Sequence, residues 1–147
     1  MDRGLTVNPN LAQAWNLSAW LRVWRGEPDL ALDHVAHAMR LSPLDPSMFA
    51  MHGAMAYAHF LAGRYDMASS CAEKAMRDYP TFLLAICISA ASNALAGRLE
   101  QAQETMSRAL ECDPDLRASK LKDLAPFRRA EDFAMFTKGL REAGFPE

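Results

Sequence analysis

Apolar residues recur at three- and four-residue spacing through successive stretches of this chain, and each stretch stops at glycine or proline. This is the pattern of amphipathic helices joined by short turns. The spacing predicts helices over residues 11–24, 29–41, 47–61, 65–78, 81–96 and 99–111, then a short helix over 116–124 and a last one over 130–143. Asn8 or Asn10 is placed to cap the first helix, Gly26 to end it, and Pro28 to head the second, where a missing N–H costs nothing. The expectation is an all-α chain.

The helices come in pairs. Within residues 62–80, AGRYDMASSCAEKAMRDYP, the residues Gly63, Tyr65, Ala68, Ala75 and Pro80 form a skeleton that recurs 34 positions later as Gly97, Leu99, Ala102, Ala109 and Pro114. It also stands 37 positions earlier as Gly26, Ala31, Ala38 and Pro43, and the three extra residues fall in the turn that Pro43 and Pro46 lengthen. Alanine has a physical reason here: where two helix axes pass close, a larger side chain would force them apart. Ala31, Ala68 and Ala102 are assigned to contact with the first helix of the same pair, and Ala38, Ala75 and Ala109 to contact with the next pair.

A helical period of 34 residues resembles that of the tetratricopeptide repeat family. The family's pattern runs from an aromatic early in the first helix to a small residue four later, a glycine at the helix end, two alanines in the second helix and a closing proline. Residues 12–45 carry Trp15, Ala19, Gly26, Ala31, Ala38 and Pro43. Residues 49–82 carry Ala56, Gly63, Tyr65, Ala68, Ala75 and Pro80, with His52 and His59 in place of aromatics, and residues 83–116 carry Ala90, Gly97, Ala102, Ala109 and Pro114, with Ile86 and Asn93 at those places. The resemblance covers residues 11–116 and implies a right-handed α-solenoid of three antiparallel helix pairs. Residues 1–10 are expected to be the end of a truncated preceding repeat, since Pro9 lies 34 before Pro43 and RGLTVNPN resembles the closing segments RLSPLDP and ECDPD. Residues 117–147 lack the glycine and alanine skeleton but set Phe133, Phe136 and Leu140 on one helix face, as expected of capping helices that hide the array's last apolar face.

Composition narrows the function. The 147 residues, 50% hydrophobic and 23% charged, fit one soluble helical domain, and sixteen basic against eighteen acidic side chains provide no overall field for nucleic acid or an anionic membrane. Residues 115–129 hold a local surplus, with Arg117, Lys120, Lys122, Arg128 and Arg129 against Asp115 and Asp123, but without the interleaved aromatics of a nucleic-acid patch. That stretch reads as a solvated face, or as a docking face for an acidic region of the same parent protein. Cys71, Cys87 and Cys112 form no C-x-x-C pair and are odd in number, so they read as reduced thiols of a cytoplasmic protein rather than a disulfide framework or zinc ribbon. No apolar run approaches a membrane span, and MDRGLTVNPN lacks the apolar core of a signal peptide.

No constellation reads as catalytic. Gly26, Gly63 and Gly97 stand at equivalent helix ends rather than in a phosphate loop. His34 and His37, with Asp33 beside them, find no assured third ligand for a metal, and His52 and His59 occupy packing positions. No cofactor, metal or small-molecule substrate is therefore expected.

The resemblance also implies where a partner binds, because first helices line the concave face of such arrays. That rule puts Gln13, Asn16, Leu17, Trp20, Val23 and Trp24 on the face, then Ala50, Ala54, Tyr57, Phe60 and Leu61, then Leu84, Cys87, Ile88, Ala91 and Leu95. Gln13, Asn16, Trp20, Trp24, Tyr57, Phe60, Leu84 and Ile88 are taken as its partner-binding residues. Relatives that bind chaperone tails hold the terminal carboxylate with Lys, Asn and Arg, whereas the aligned positions here are Asn16, Trp20, Ala54, Leu84 and Ile88, with one polar side chain and no cation. The groove instead suits an apolar helix or peptide, supplied by the chain's own tail through Phe133, Phe136 and Leu140, by a second copy, or by another protein. Residues 8–46 and 121–147 also resemble the tails of rhizobial-type adenylate/guanylate cyclases and of winged-helix regulators. This implies a non-catalytic C-terminal module of a bacterial signalling protein, or a function assigned through the parent's cyclase activity.

Overall fold

The structure, a computed structural model, describes residues 9–146, with side chains from Leu11 onward. Among the described residues eight helices follow one another: α1 (Pro9–Arg25), α2 (Pro28–Leu41), α3 (Met48–Leu61), α4 (Tyr65–Asp78), α5 (Leu83–Leu95), α6 (Leu99–Cys112), α7 (Ala118–Leu124) and α8 (Ala130–Glu142). The described residues contain no strand. Each of the first six helices packs most heavily on its pair mate, α2 and α4 also pack on the first helix of the following pair, and α1, α3 and α5 stand side by side. The chain is an α-solenoid of helix pairs.

Three expectations about helix starts change. Asn10 falls inside α1 rather than capping it, while Asn8, and with it most of the expected preceding repeat, lies outside the described residues. Helix α5 begins at Leu83 rather than Thr81, because a turn closed by the Phe82 N–H on the Tyr79 carbonyl (3.0 Å) uses the residues before it. A similar turn, Leu116 N–H to Asp113 carbonyl at 3.0 Å, delays α7 to Ala118.

The alanine skeleton lies where helices meet. Ala19, Ala56 and Ala90, with Ala31, Ala68 and Ala102 and with Ala38, Ala75 and Ala109, are all at most 1% exposed. One cluster shows the stacking directly, with Val35, Ala38 and Leu41 of α2 packed against Met51 and Ala54 of α3. A side chain larger than alanine has nowhere to go in such a contact.

Every turn inside a pair is built alike. Gly26, Gly63 and Gly97 take φ of 80°, 79° and 87°, a left-handed conformation that costs glycine little. The Gly26 N–H bonds the Val23 carbonyl and the Glu27 N–H the Arg22 carbonyl; Gly63 to Phe60 with Arg64 to His59, and Gly97 to Ala94 with Arg98 to Asn93, repeat the scheme. This paired arrangement satisfies helix-end carbonyls that would otherwise be orphaned. The residues that share the longer backbone bond also share a side-chain bond. Arg22 donates to Glu27 at 3.2 Å, Arg64 Nε to His59 Nδ1 at 3.0 Å, and Arg98 Nε to Asn93 Oδ1 at 2.8 Å. His59, expected merely to replace a core aromatic, is thus a buried acceptor that locks a turn.

Two outcomes follow. Ala75→Leu should lower stability by about 1–3 kcal/mol through overpacking, read as a shifted urea midpoint. Burial, followed by the Arg64 charge, holds His59 below its usual 6.5, and burial and Lys74 do the same to His52. Because these pKa values are depressed in the folded state, their stability is fully present above pH 6.5 and is lost as pH falls through the folded values. Melting temperature should therefore decline on acidification below pH 6.5, and His59→Asn, which copies Asn93, should keep the turn while removing its share of that decline.

Candidate functional site

The first helices of the three pairs form one continuous apolar surface. Trp20 and Trp24 on α1 lie 5.4 Å apart between ring centres, and each lies within 5.5 Å of the Tyr57 ring on α3. Tyr57 is completely buried, so its hydroxyl, donating to the Leu84 carbonyl of α5 at 2.8 Å, ties the second and third pairs together. Burial pushes the pKa of that hydroxyl well above its ordinary value, which keeps it a donor at any physiological pH.

The last helix closes this surface. Helix α8 packs chiefly on α5 and only marginally on α6, so it covers the groove rather than the end of the stack. Gly139 makes this possible, since a Cβ there would stand 2.8 Å from the Ala91 carbonyl oxygen and 2.9 Å from its Cα. The Phe136 ring is fully buried against Tyr57, Phe60 and Phe127, with centroids 6.0, 6.2 and 5.4 Å away, and Leu140 is buried beside it in the same core. At the near end, Phe127 meets Trp24 edge-on at 5.2 Å, the Arg128 N–H donates to the Trp24 carbonyl at 2.7 Å, and the Arg129 side chain crosses Gly26. The tail thereby touches all three first helices. The far end of the array is closed by other residues: Met106 and Ala109 of α6 are buried in one cluster with Leu116, Leu121 and Ala125.

The sequence-predicted groove residues separate accordingly. Trp24, Tyr57 and Phe60 carry the tail's aromatic contacts, and Trp20 supports them from α1. Leu84 supplies a carbonyl, Gln13 is exposed, and Asn16 is buried with its Oδ1 unpartnered. Ile88, like Ala54 and Cys87, is at most 1% exposed and so forms no part of an open face, whereas Ala91 is buried directly under Gly139 of α8. Ala54 lies toward the preceding second helix, and the matching place on α1, Leu17, is 63% exposed. Sequence reasoning missed Phe127 and Gly139. The one available signal was that α3 and α5 are apolar around their whole circumference, the mark of a helix covered on every side.

Other candidate chemistry dissolves into packing. His34 and His37 flank Trp15 at 5.0 and 4.4 Å, their Nδ1 atoms engaged by Ser18 and Arg40, and among the described residues no three His, Cys, Asp or Glu gather as metal ligands. Burial raises the Cys71 thiol and, with Asp113 and Cys112 adding to it, pushes Cys87 to about 12, so neither is a thiolate nucleophile near neutral pH. Arg117 binds the Pro114 and Leu116 carbonyls, Lys120 pairs with Asp113 at 3.8 Å, Lys122 sits over Phe133, and Arg129 pairs with Glu131 and Asp132. The basic stretch is largely spent on its own neighbours. No described helix is long and apolar enough to cross a membrane.

No protein-family model and no curated protein matches this chain. Solved structures do. The first tetratricopeptide domain of Spaghetti (RPAP3), bound to the HSP90 peptide SRMEEVD, superposes with a TM-score of 0.68 at 20% identity, over 93% of each chain. The first such domain of human RPAP3, solved by NMR, gives 0.67 at 20% identity over 89% of this chain and 98% of the other. The chain has the tetratricopeptide fold. At this identity the likeness concerns architecture alone.

Phe136→Ala should cost about 3–5 kcal/mol, the usual toll for an aromatic removed from a closed core. Equilibrium unfolding monitored by helical circular dichroism would measure it, and a loss below about 1 kcal/mol would mean that α8 only rests on the groove.

Proposed function

We propose that this chain is a non-catalytic protein-interaction scaffold whose groove recognises an apolar α-helix. The observation that supports this reading is the groove's present content, a helix seated by Phe136 and Leu140 across α1, α3 and α5. Trp20, Trp24, Tyr57 and Phe60 are the receptor residues, with Leu84 orienting Tyr57. Gln13 and Asn16 lie on the same helix as the two tryptophans and mark its polar margin, and Ile88 supports the wall from behind. The intramolecular helix competes with any external one, so partners of similar chemistry reach the groove by exchange with α8.

A carboxylate-ended chaperone tail is a poor guest for this groove. The structural neighbour is bound to such a peptide, yet the aligned positions here carry no cation that would hold a terminal carboxylate. Buried unpaired thiols support a cytoplasmic setting. The resemblance of residues 8–46 and 121–147 to the tails of bacterial cyclases and winged-helix regulators supports a regulatory or assembly role within a larger signalling protein. On this reading, any cyclase activity belongs to the parent.

The double variant F136A/L140A removes the tail's two anchors and leaves the groove intact. A fluorescent peptide of residues 129–145 should bind it at least about tenfold more tightly than it binds the unaltered chain, because the internal competitor has been weakened. Equal, weak binding by both proteins, with helicity retained, would show that the groove is core rather than receptor. Titration with SRMEEVD should give no saturable binding, and saturable binding would redirect the reading to chaperone tails.

A further inference from the structure

The three first helices do not offer α8 the same wall. Counted back from the turn glycines, Trp20 of α1, Tyr57 of α3 and Ala91 of α5 occupy equivalent places. The first two hold α8 off the backbone with rings whose centres lie 5.5 Å apart, whereas Ala91 is small enough to bring the α5 main chain to the channel. Helix α8 has the matching taper. Phe136 stands on the ring side, 6.0 Å from Tyr57 and 6.2 Å from Phe60, Gly139 stands against Ala91, and Leu140 follows at 0% exposure. Spacings of three and four residues put all three on one face of the helix.

The contact at Gly139 is made by atoms that cannot yield. A Cβ there would lie 2.8 Å from the Ala91 carbonyl oxygen and 2.9 Å from both its Cα and its Cβ. Two of these three atoms belong to the α5 main chain, so no rotamer change relieves the clash, and even A91G would remove one contact of three. Glycine weakens a helix interior, so its place in the middle of α8 is unfavourable to the helix itself and is offset only by the seat. Elsewhere α8 is unconstrained by the wall, and Ala134, Lys138 and Glu142 are exposed.

We infer that the groove reads its helix by sequence: an aromatic residue, a glycine three places on, and a large aliphatic directly after it, as in Phe136, Gly139 and Leu140. This rests on the reading of the groove as a receptor, and it narrows the partner from apolar helices in general to those with a glycine notch in this register. The aromatic and the aliphatic supply buried area, and the glycine supplies discrimination, because the α5 backbone turns away a helix with alanine or leucine at the notch.

The probe is the fluorescent peptide of residues 129–145, titrated into F136A/L140A beside the same peptide carrying G139A or K138A. Alanine favours a helix over glycine, so a groove that asks only for an apolar helix binds the G139A peptide more tightly. The notch requires the opposite sign, with G139A binding at least about tenfold more weakly and K138A binding as the parent peptide does. In the intact chain G139A should likewise speed amide hydrogen exchange in α8 at least about tenfold while α4 and α6 stay protected, an answer that does not depend on the double variant folding. A G139A peptide that binds as well as its parent or better, or α8 exchange unchanged by G139A, would overturn the inference and leave the receptor reading standing. Failure of all three peptides to bind, with helicity retained, would overturn that reading and this inference with it.

Discussion

The close approach of helices at alanine is the constraint on which the rest of this structure depends. Nine alanines at three repeat-related sites let each second helix lie against its mate and against the next pair, and none is more than 1% exposed. Alanine contributes little apolar area itself, so its value is positional: it brings backbones near enough for larger neighbours such as Met51, Ile86 and Met106 to be enclosed. The same economy returns at the crossing of α8 and α5, where Gly139 meets Ala91. A narrow groove and a helix with a glycine notch are two halves of one fit.

That fit sets the chemistry of the groove. A channel lined by Trp24, Tyr57 and Phe60 holds Phe136 and Phe127 through shape and apolar area, with Tyr57 fixed by its bond to the Leu84 carbonyl. A groove built for a charged peptide terminus would instead need converging cations. Here the basic side chains near the tail neutralise neighbouring carboxylates or cap carbonyls. Fold likeness at 20% identity fixes the scaffold and leaves the site to its side chains.

How much the sequence disclosed varied with the range of the interaction. Alanine sites and glycine turns were legible because both are local rules that repeat, and three copies make a pattern visible. The side-chain clamp at each turn escaped notice, since Arg22 with Glu27, His59 with Arg64 and Asn93 with Arg98 share a geometry but little chemistry. Residues such as Ala54 and Ile88 were assigned to the open face because a first helix has two apolar sides separated by about one residue's rotation, which composition does not distinguish. The apolar stripe of α8 was plain, while its seat on α1, α3 and α5 depended on Gly139 and Phe127, whose importance arises only from distant partners.

The bond from the Arg128 N–H to the Trp24 carbonyl joins residues 104 positions apart. Most helix-pair arrays hold only nearest-neighbour contacts, and can form piecemeal from either end. Here α8 and the turn before it are stitched back to α1, which adds contacts of long sequence separation. During synthesis the aromatic channel is complete once α5 has emerged, yet its cover, α8, emerges some 35 residues later. For that interval the nascent chain displays its stickiest surface, and the chance of capture by a folding helper, or of misassembly with a neighbour, is concentrated there.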